Sequence, residues 1–138
     1  MLPLFAYGTL RDPEYQRELF ARTYPMQRAC VTGFIVVSTG AGYLAATPRD
    51  EATIDGVLVD LDDAGYAIAD AWEDRTVYDR VEIEAYGQDG RMQRCWIYVQ
   101  LDAGGAPVAD ERLADRARAD VIADIRRFRT SEAFTNRP

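Results

Sequence analysis

Apolar residues along this chain fall into short strand-like runs and helical stripes, divided by clusters of turn-forming residues. Leu4-Phe5-Ala6-Tyr7 is a core-seeking, strand-forming run that ends at Gly8 and enters the turn-like stretch Thr9-Leu10-Arg11. A glycine there allows close approach of backbone to a ligand, or a positive φ closed to other residues. An N-terminal strand followed by an ordinary turn fits the same residues. Asp12-Pro13-Glu14 then reads as a helix start, with Pro13 near the first helical position, and the helix runs to about Phe20. Ala29 to Val37 predicts a strand bent at Gly33, and Gly40-Ala41-Gly42 turns the chain. Tyr43 to Thr47 is a second short run, stopped by Pro48, with Asp50-Glu51 in an exposed loop. Thr53 to Leu61 follows as a buried strand with Gly56 inside it.

Ala64, Ala67, Ile68, Ala71 and Trp72 recur at helical spacing behind the acidic cap Asp62-Asp63, with Glu73 just past the stripe. Asp79 to Tyr86 alternates, placing Val81, Ile83 and Ala85 on one face. Gln88-Asp89-Gly90 is a hairpin turn, and Arg91 to Leu101 is the returning strand. Leu113, Ala117, Val121, Ile125 and Phe128 form a last stripe, predicting a helix over about 110–129. Thr130 to Pro138 has no periodicity and is expected to be loose or engaged with a neighbouring chain. Ala103-Gly104-Gly105-Ala106-Pro107 is too short to separate domains. The expectation is a single α+β domain over residues 1–138, with about six largely antiparallel strands curved into a sheet or barrel and two or three helices around it.

Composition narrows the chemistry more than the fold. The chain has 138 residues, 16 basic against 23 acidic, and a formal charge of −7. No basic cluster interleaves with aromatics, so nucleic acid is not an expected partner. Arg126, Arg127 and Arg129 close the last predicted helix, where positive charge suits the macrodipole. No apolar run approaches the ~20 residues of a membrane span, and the start lacks the marks of a signal peptide, so a cytoplasmic protein without membrane association is expected. Histidine and lysine are both absent. Their absence removes Ser-His-Asp and Cys-His arrangements, Schiff-base and P-loop lysines, and almost every zinc site. Cys30 and Cys95 form no CxxC pair and read as reduced core residues. Asp60, Asp62 and Asp63 could be imagined as metal ligands but fit a turn and an N-cap more simply. An enzyme of this composition, working without a cofactor, must draw its proton chemistry from carboxylates or tyrosines.

Asp70-Ala71-Trp72-Glu73-Asp74, followed by Tyr78-Asp79-Arg80-Val81, sets a glutamate where a helix gives way to a loop, close to Trp72 and Tyr78. Burial against aromatics would raise its pKa towards neutrality, as a group that takes and returns a proton requires. The residues alone equally allow an exposed helix-end glutamate, or one paired with Arg75 or Arg80.

Taken together, Tyr7-Gly8-Thr9-Leu10-Arg11, Gly56-Val57-Leu58-Val59-Asp60, Asp70-x-x-Glu73, Tyr78-x-Arg80-Val81 and Trp96-Ile97-Tyr98 resemble the gamma-glutamylcyclotransferase-like family, over roughly residues 3 to 101. The resemblance implies a small mixed, mostly antiparallel β-barrel with peripheral helices and no cofactor or metal. It also implies that Tyr7, Gly8, Thr9 and Leu10 receive a γ-glutamyl group, and that Glu73 is the catalytic acid/base. Tyr98 is a further candidate for the pocket wall, as is Tyr78, although aromatic strand residues commonly belong to the core. The implied reaction is attack of the substrate's α-amine on its own γ-carbonyl, releasing an amine and 5-oxoproline. Backbone N–H groups of the Gly8 loop would hold either the α-carboxylate or the developing oxyanion. Two other readings are a non-catalytic small-molecule-binding or assembly module of the same fold, and an amide hydrolase in which Glu73 activates water. Family members often carry leucine before the aspartate and glycine after the glutamate, where this chain has Ala69 and Asp74. The step from Glu73 to Tyr78 is also slightly longer.

Overall fold

The computed structural model describes residues 1–74 and 76–136. In it the strands are β1 (Leu4–Ala6), β2 (Met26–Ser38), β3 (Leu44–Val59), β4 (Asp79–Gly87) and β5 (Met92–Val99). The helices are α1 (Pro13–Phe20), α2 (Asp63–Glu73), α3 (Arg118–Arg129) and the single turn α4 (Glu132–Thr135). The strands close into a barrel in the order β1-β3-β2-β4-β5. Most pairings are antiparallel, with Phe5 opposite Leu58, Val31 opposite Ile54 and Ile83 opposite Cys95. β5 runs parallel to β1 at Leu4–Trp96 and to β3 at Ala46–Val99. This is the mixed, mostly antiparallel barrel with peripheral helices that the resemblance implies.

Alternation along β1 divides the apolar residues into two layers. Phe5 and Tyr7 join Val31, Ile54, Leu58, Ile97 and Val99 in the barrel interior. Leu4 and Ala6 face the helices, packing in a layer with Leu19, Ile68, Val121 and Ile125. Helix ends are set by local chemistry. Asp12 caps α1 by accepting from the Glu14 and Tyr15 N–H groups at 3.0 and 3.1 Å, with Pro13 at the first helical position. Asp62 caps α2 through the Gly65 N–H at 2.7 Å and also accepts the Tyr24 hydroxyl at 2.8 Å. The cap reading of Asp62 therefore holds.

Three expectations are corrected. The runs Tyr43–Thr47 and Thr53–Leu61 are one strand, so the described residues hold five strands instead of six. Thr32 pairs with Thr53 and Phe34 with Pro48, leaving residues 49–52 as an exposed excursion opposite Gly33. Gly33 (φ +94°) and Glu51 (φ +66°) absorb the bend, and Pro48 is tolerated beside it. The last long helix begins at Arg118, not near 110. The backbone before it is engaged elsewhere: Asp115 N–H donates to the Gly42 carbonyl at 2.9 Å, and the Arg11 guanidinium takes the carbonyls of Asp110 and Arg112. Residues 103–117 thus form a strap along the barrel, joined to β2 by the Ser38 N–H to Ala106 carbonyl bond and by Val108 N–H to Val36. Finally, part of the supposedly loose tail is ordered as α4, capped by Ser131, with Phe134 packed on Phe128. Residues 137 and 138 lie outside the described residues.

Gly56 matters because β1 presses closely onto β3. A Cβ at this position would lie 2.6 Å from the Ala6 carbonyl oxygen and 2.8 Å from the Phe5 ring. Gly56→Val should destabilise the fold by about 2–3 kcal/mol, read as a lower urea midpoint. An unchanged midpoint would show that β1 can move aside.

Candidate active site

A cavity of about 650 Å³ opens at the end of β1, and its wall is drawn from every part of the chain. Tyr7 to Leu10 form one side, Trp72, Glu73 and Asp74 another, with Tyr78, Tyr98 and Gln100 between them. The structure therefore brings together all of the site candidates: Glu73, Tyr7, Gly8, Thr9, Leu10 and Tyr98. Past Gly8 the chain folds into a 3₁₀ turn, Thr9–Arg11, whose first N–H groups, on Thr9 and Leu10, meet no protein acceptor among the described residues. Gly8 has φ −121°, so the positive-φ alternative is not used. A Cβ there would lie 3.4 Å from the Leu113 carbonyl oxygen, an ordinary contact.

Glu73 is the last residue of α2, half-buried in the cavity wall. Burial raises its pKa from 4.5 to about 8, and the charge of Asp70, one helical turn earlier, adds to the shift. Asp70 is itself held: it accepts the Tyr98 hydroxyl at 2.7 Å and sits 3.4 Å from the Arg80 guanidinium, which stacks over Tyr66 and Trp96. Arg80 is thus paired with Asp70. The suggested Glu73–Arg75 pair lies outside the described residues. Just beyond Glu73, Asp74 takes φ +59°, a conformation that glycine adopts most easily. Its carboxylate compensates by accepting from the Thr76 N–H and hydroxyl at 3.0 and 2.5 Å, while its carbonyl accepts from Val77 and Tyr78. That Asx turn is how an aspartate is accommodated at this positive φ.

The tyrosines are committed to the scaffold. Tyr7 donates to the Tyr98 carbonyl at 2.6 Å and Tyr78 to the Leu44 carbonyl at 2.8 Å, and burial pushes the pKa of both well up, reinforced by Glu73. Their hydroxyl protons are spent on backbone, which leaves Glu73 as the group suited to proton transfer near neutrality. Sequence reasoning missed the far wall, made by Tyr43, Leu113, Asp124, Phe128 and Ser131. The helical stripe pointed Phe128 at the core, and nothing in the periodicity marked it as facing a cavity. Cys30 and Cys95 are free, as expected.

A family model described as gamma-glutamyl cyclotransferase, AIG2-like, matches residues 4–118. The chain belongs to this gamma-glutamyl cyclotransferase family. The match runs beyond residue 101, where the sequence resemblance stopped, and ends as α3 begins. Among curated proteins, none matches. Among solved structures, an AIG2-like protein of Mus musculus aligns over 72% of this chain and 77% of its own, at 23% identity and TM-score 0.59. A gamma-glutamyl cyclotransferase aligns over 77% and 70%, at 15% identity and TM-score 0.63. An Arabidopsis thaliana protein solved in solution aligns over 74% of this chain, at 20% identity and TM-score 0.66, and this chain spans 63% of that protein's length. At these identities the structural likeness shows a shared fold.

The raised pKa of Glu73 has a consequence for stability. Between about pH 4.5 and 8 the folded chain holds a proton that the unfolded chain has lost. Glu73's contribution is thus fully present below about 4.5 and is lost as pH rises through about 8. Urea unfolding should show wild type losing stability relative to Glu73→Gln across that window, on the order of 3–5 kcal/mol in all. Asp70→Asn should shift the descent to lower pH. Parallel stability profiles of wild type and Glu73→Gln would mean that Glu73 titrates normally.

Proposed function

We propose that this chain is a γ-glutamyl cyclotransferase in which Glu73 serves as both base and acid. The observation that carries the reading is a carboxyl group, its pKa raised by burial to about 8, in the wall of a cavity that Thr9 and Leu10 also line. The substrate supplies the nucleophile, so neither histidine nor lysine is needed. Its α-ammonium, seated beside Glu73, favours the carboxylate form, which accepts the proton and frees the amine. The amine nitrogen bonds to the γ-carbonyl carbon, and the bond from that carbon to the leaving nitrogen breaks. Glu73 passes that proton to the leaving nitrogen. It then takes the second proton that the attacking nitrogen sheds as the lactam N–H forms and gives it to the released amine, so the products are 5-oxoproline and the amine as its ammonium ion. The Thr9 and Leu10 N–H groups hold an anion of the substrate, its α-carboxylate or the developing oxyanion. Tyr7 and Tyr98 shape the wall with their rings, and Tyr98 also fixes Asp70. The site asks for no metal or cofactor in this scheme.

Purified chain incubated with γ-glutamyl amines should form 5-oxoproline, and Glu73→Gln should lose roughly 10²–10⁴-fold in kcat/KM while remaining folded. In wild type kcat/KM should climb with pH up to about 8, as the free enzyme's Glu73 ionises. Unaltered activity in Glu73→Gln would remove Glu73 from this role. Free glutamate in place of 5-oxoproline would identify hydrolysis.

A further inference from the structure

We infer that the half of the cavity facing the leaving amine is an aromatic subsite completed by α3, and that the substrates it selects carry an aromatic or bulky apolar group on that amine. The inference rests on the cyclotransferase reading of the same site and names the class of substrate. Trp72 stands next to Glu73 in sequence, and its ring meets Tyr43 edge to face at 5.6 Å and Phe128 at 5.5 Å. All three are half-buried and line the cavity, so each keeps ring surface to offer a ligand. Phe128 is braced from behind by Phe134 at 5.6 Å. A cavity of about 650 Å³ holds far more than a γ-glutamyl group, and this wall is where the remainder of a substrate would lie.

The charged groups on this side are tied to one another. Asp124 accepts the Tyr43 hydroxyl at 2.6 Å and is paired with Arg116 at 2.9 Å and Arg127 at 2.5 Å. Arg127 is the one cation lining the cavity among the described residues, and Asp124 occupies it. Asp74 is turned onto Thr76. A leaving amino acid would bring a carboxylate into this wall that competes with Asp124 for Arg127. An aryl-alkyl amine instead replaces water against three ring surfaces. Phe128 lies beyond the residues matched by the family model, so the selection belongs to this chain's own C-terminal helices.

The test compares γ-glutamyl-ethylamide, γ-glutamyl-phenethylamide, which adds one phenyl ring, and γ-glutamyl-glycine. Turnover is measured with wild type and affinity by calorimetry with Glu73→Gln. The phenethylamide should exceed both others by about tenfold or more in kcat/KM and in affinity. Phe128→Leu and Phe128→Ala, each verified as folded by circular dichroism, should collapse the phenethyl-to-ethyl ratio mainly through KM. Turnover that favours the ethylamide or the glycine compound would overturn the aromatic subsite and leave the cyclotransferase reading standing. Selective binding of the phenethylamide with no turnover would do the reverse. Neither binding nor turnover of any compound would overturn both.

Discussion

The molecule depends on keeping one carboxyl group at a helix end, out of bulk water and next to a second carboxylate. Desolvation and the Asp70 charge both oppose ionisation of Glu73, and the C-terminal end of α2, where the macrodipole is negative, acts in the same direction. Such an arrangement destabilises the fold at neutral pH and has to be held by its surroundings. Asp74 supplies one support, leaving the helix at a positive φ and folding its side chain back on Thr76. Asp70 supplies another, since its own charge is satisfied by the Tyr98 hydroxyl and the Arg80 guanidinium. The Asp70 charge beside Glu73 pushes that neighbour's proton affinity up.

This arrangement explains how a chain without histidine or lysine can carry proton chemistry near neutral pH. In the proposed reaction, a substrate ammonium beside this carboxyl group, whose pKa is raised to about 8, would favour its ionised form, so that binding would switch on the base. The tyrosines do not compete. Burial raises their pKa values, and their hydroxyls are spent on backbone carbonyls or on Asp70. In the turn after β1 the Thr9 and Leu10 N–H groups meet no protein acceptor among the described residues.

Much of this was legible in the residues, and the failures have physical causes. Caps at Asp12 and Asp62, the hairpin at Asp89-Gly90 and the bend at Gly33 rest on local chemistry, and local chemistry is what a sequence shows directly. Residues 103–117 broke the pattern because their hydrogen bonds go to Arg11, Gly42, Val36 and Ser38, partners far away in the chain. Periodicity extended the last helix back towards Asp110, and tertiary bonding overrode it. Pro48 and Asp50-Glu51 looked like a strand ending, but pairing with β2 continues on both sides of the excursion. Glu73 and the Gly8 loop could be nominated because together they resemble a family pattern, whereas each alone also fitted an exposed glutamate or an ordinary turn. Phe128 could not, because an apolar residue on a helical stripe looks the same whether it meets core or cavity.

The cavity is therefore built in two ways from two parts of the chain. The half around Glu73 and the Thr9–Leu10 turn relies on backbone and on one tuned carboxyl group, both fixed by the barrel and by α2. The half around Phe128 relies on rings and on Asp124, which joins the β2–β3 turn through Tyr43, the strap through Arg116 and α3 through Arg127. Of these rings Trp72 is carried by α2 beside Glu73, whereas Phe128 is carried by α3. On the proposed reading, proton transfer would rest on α2 and the choice of leaving group in part on Phe128 of α3, so a change in α3 would move the second while the barrel holds the first.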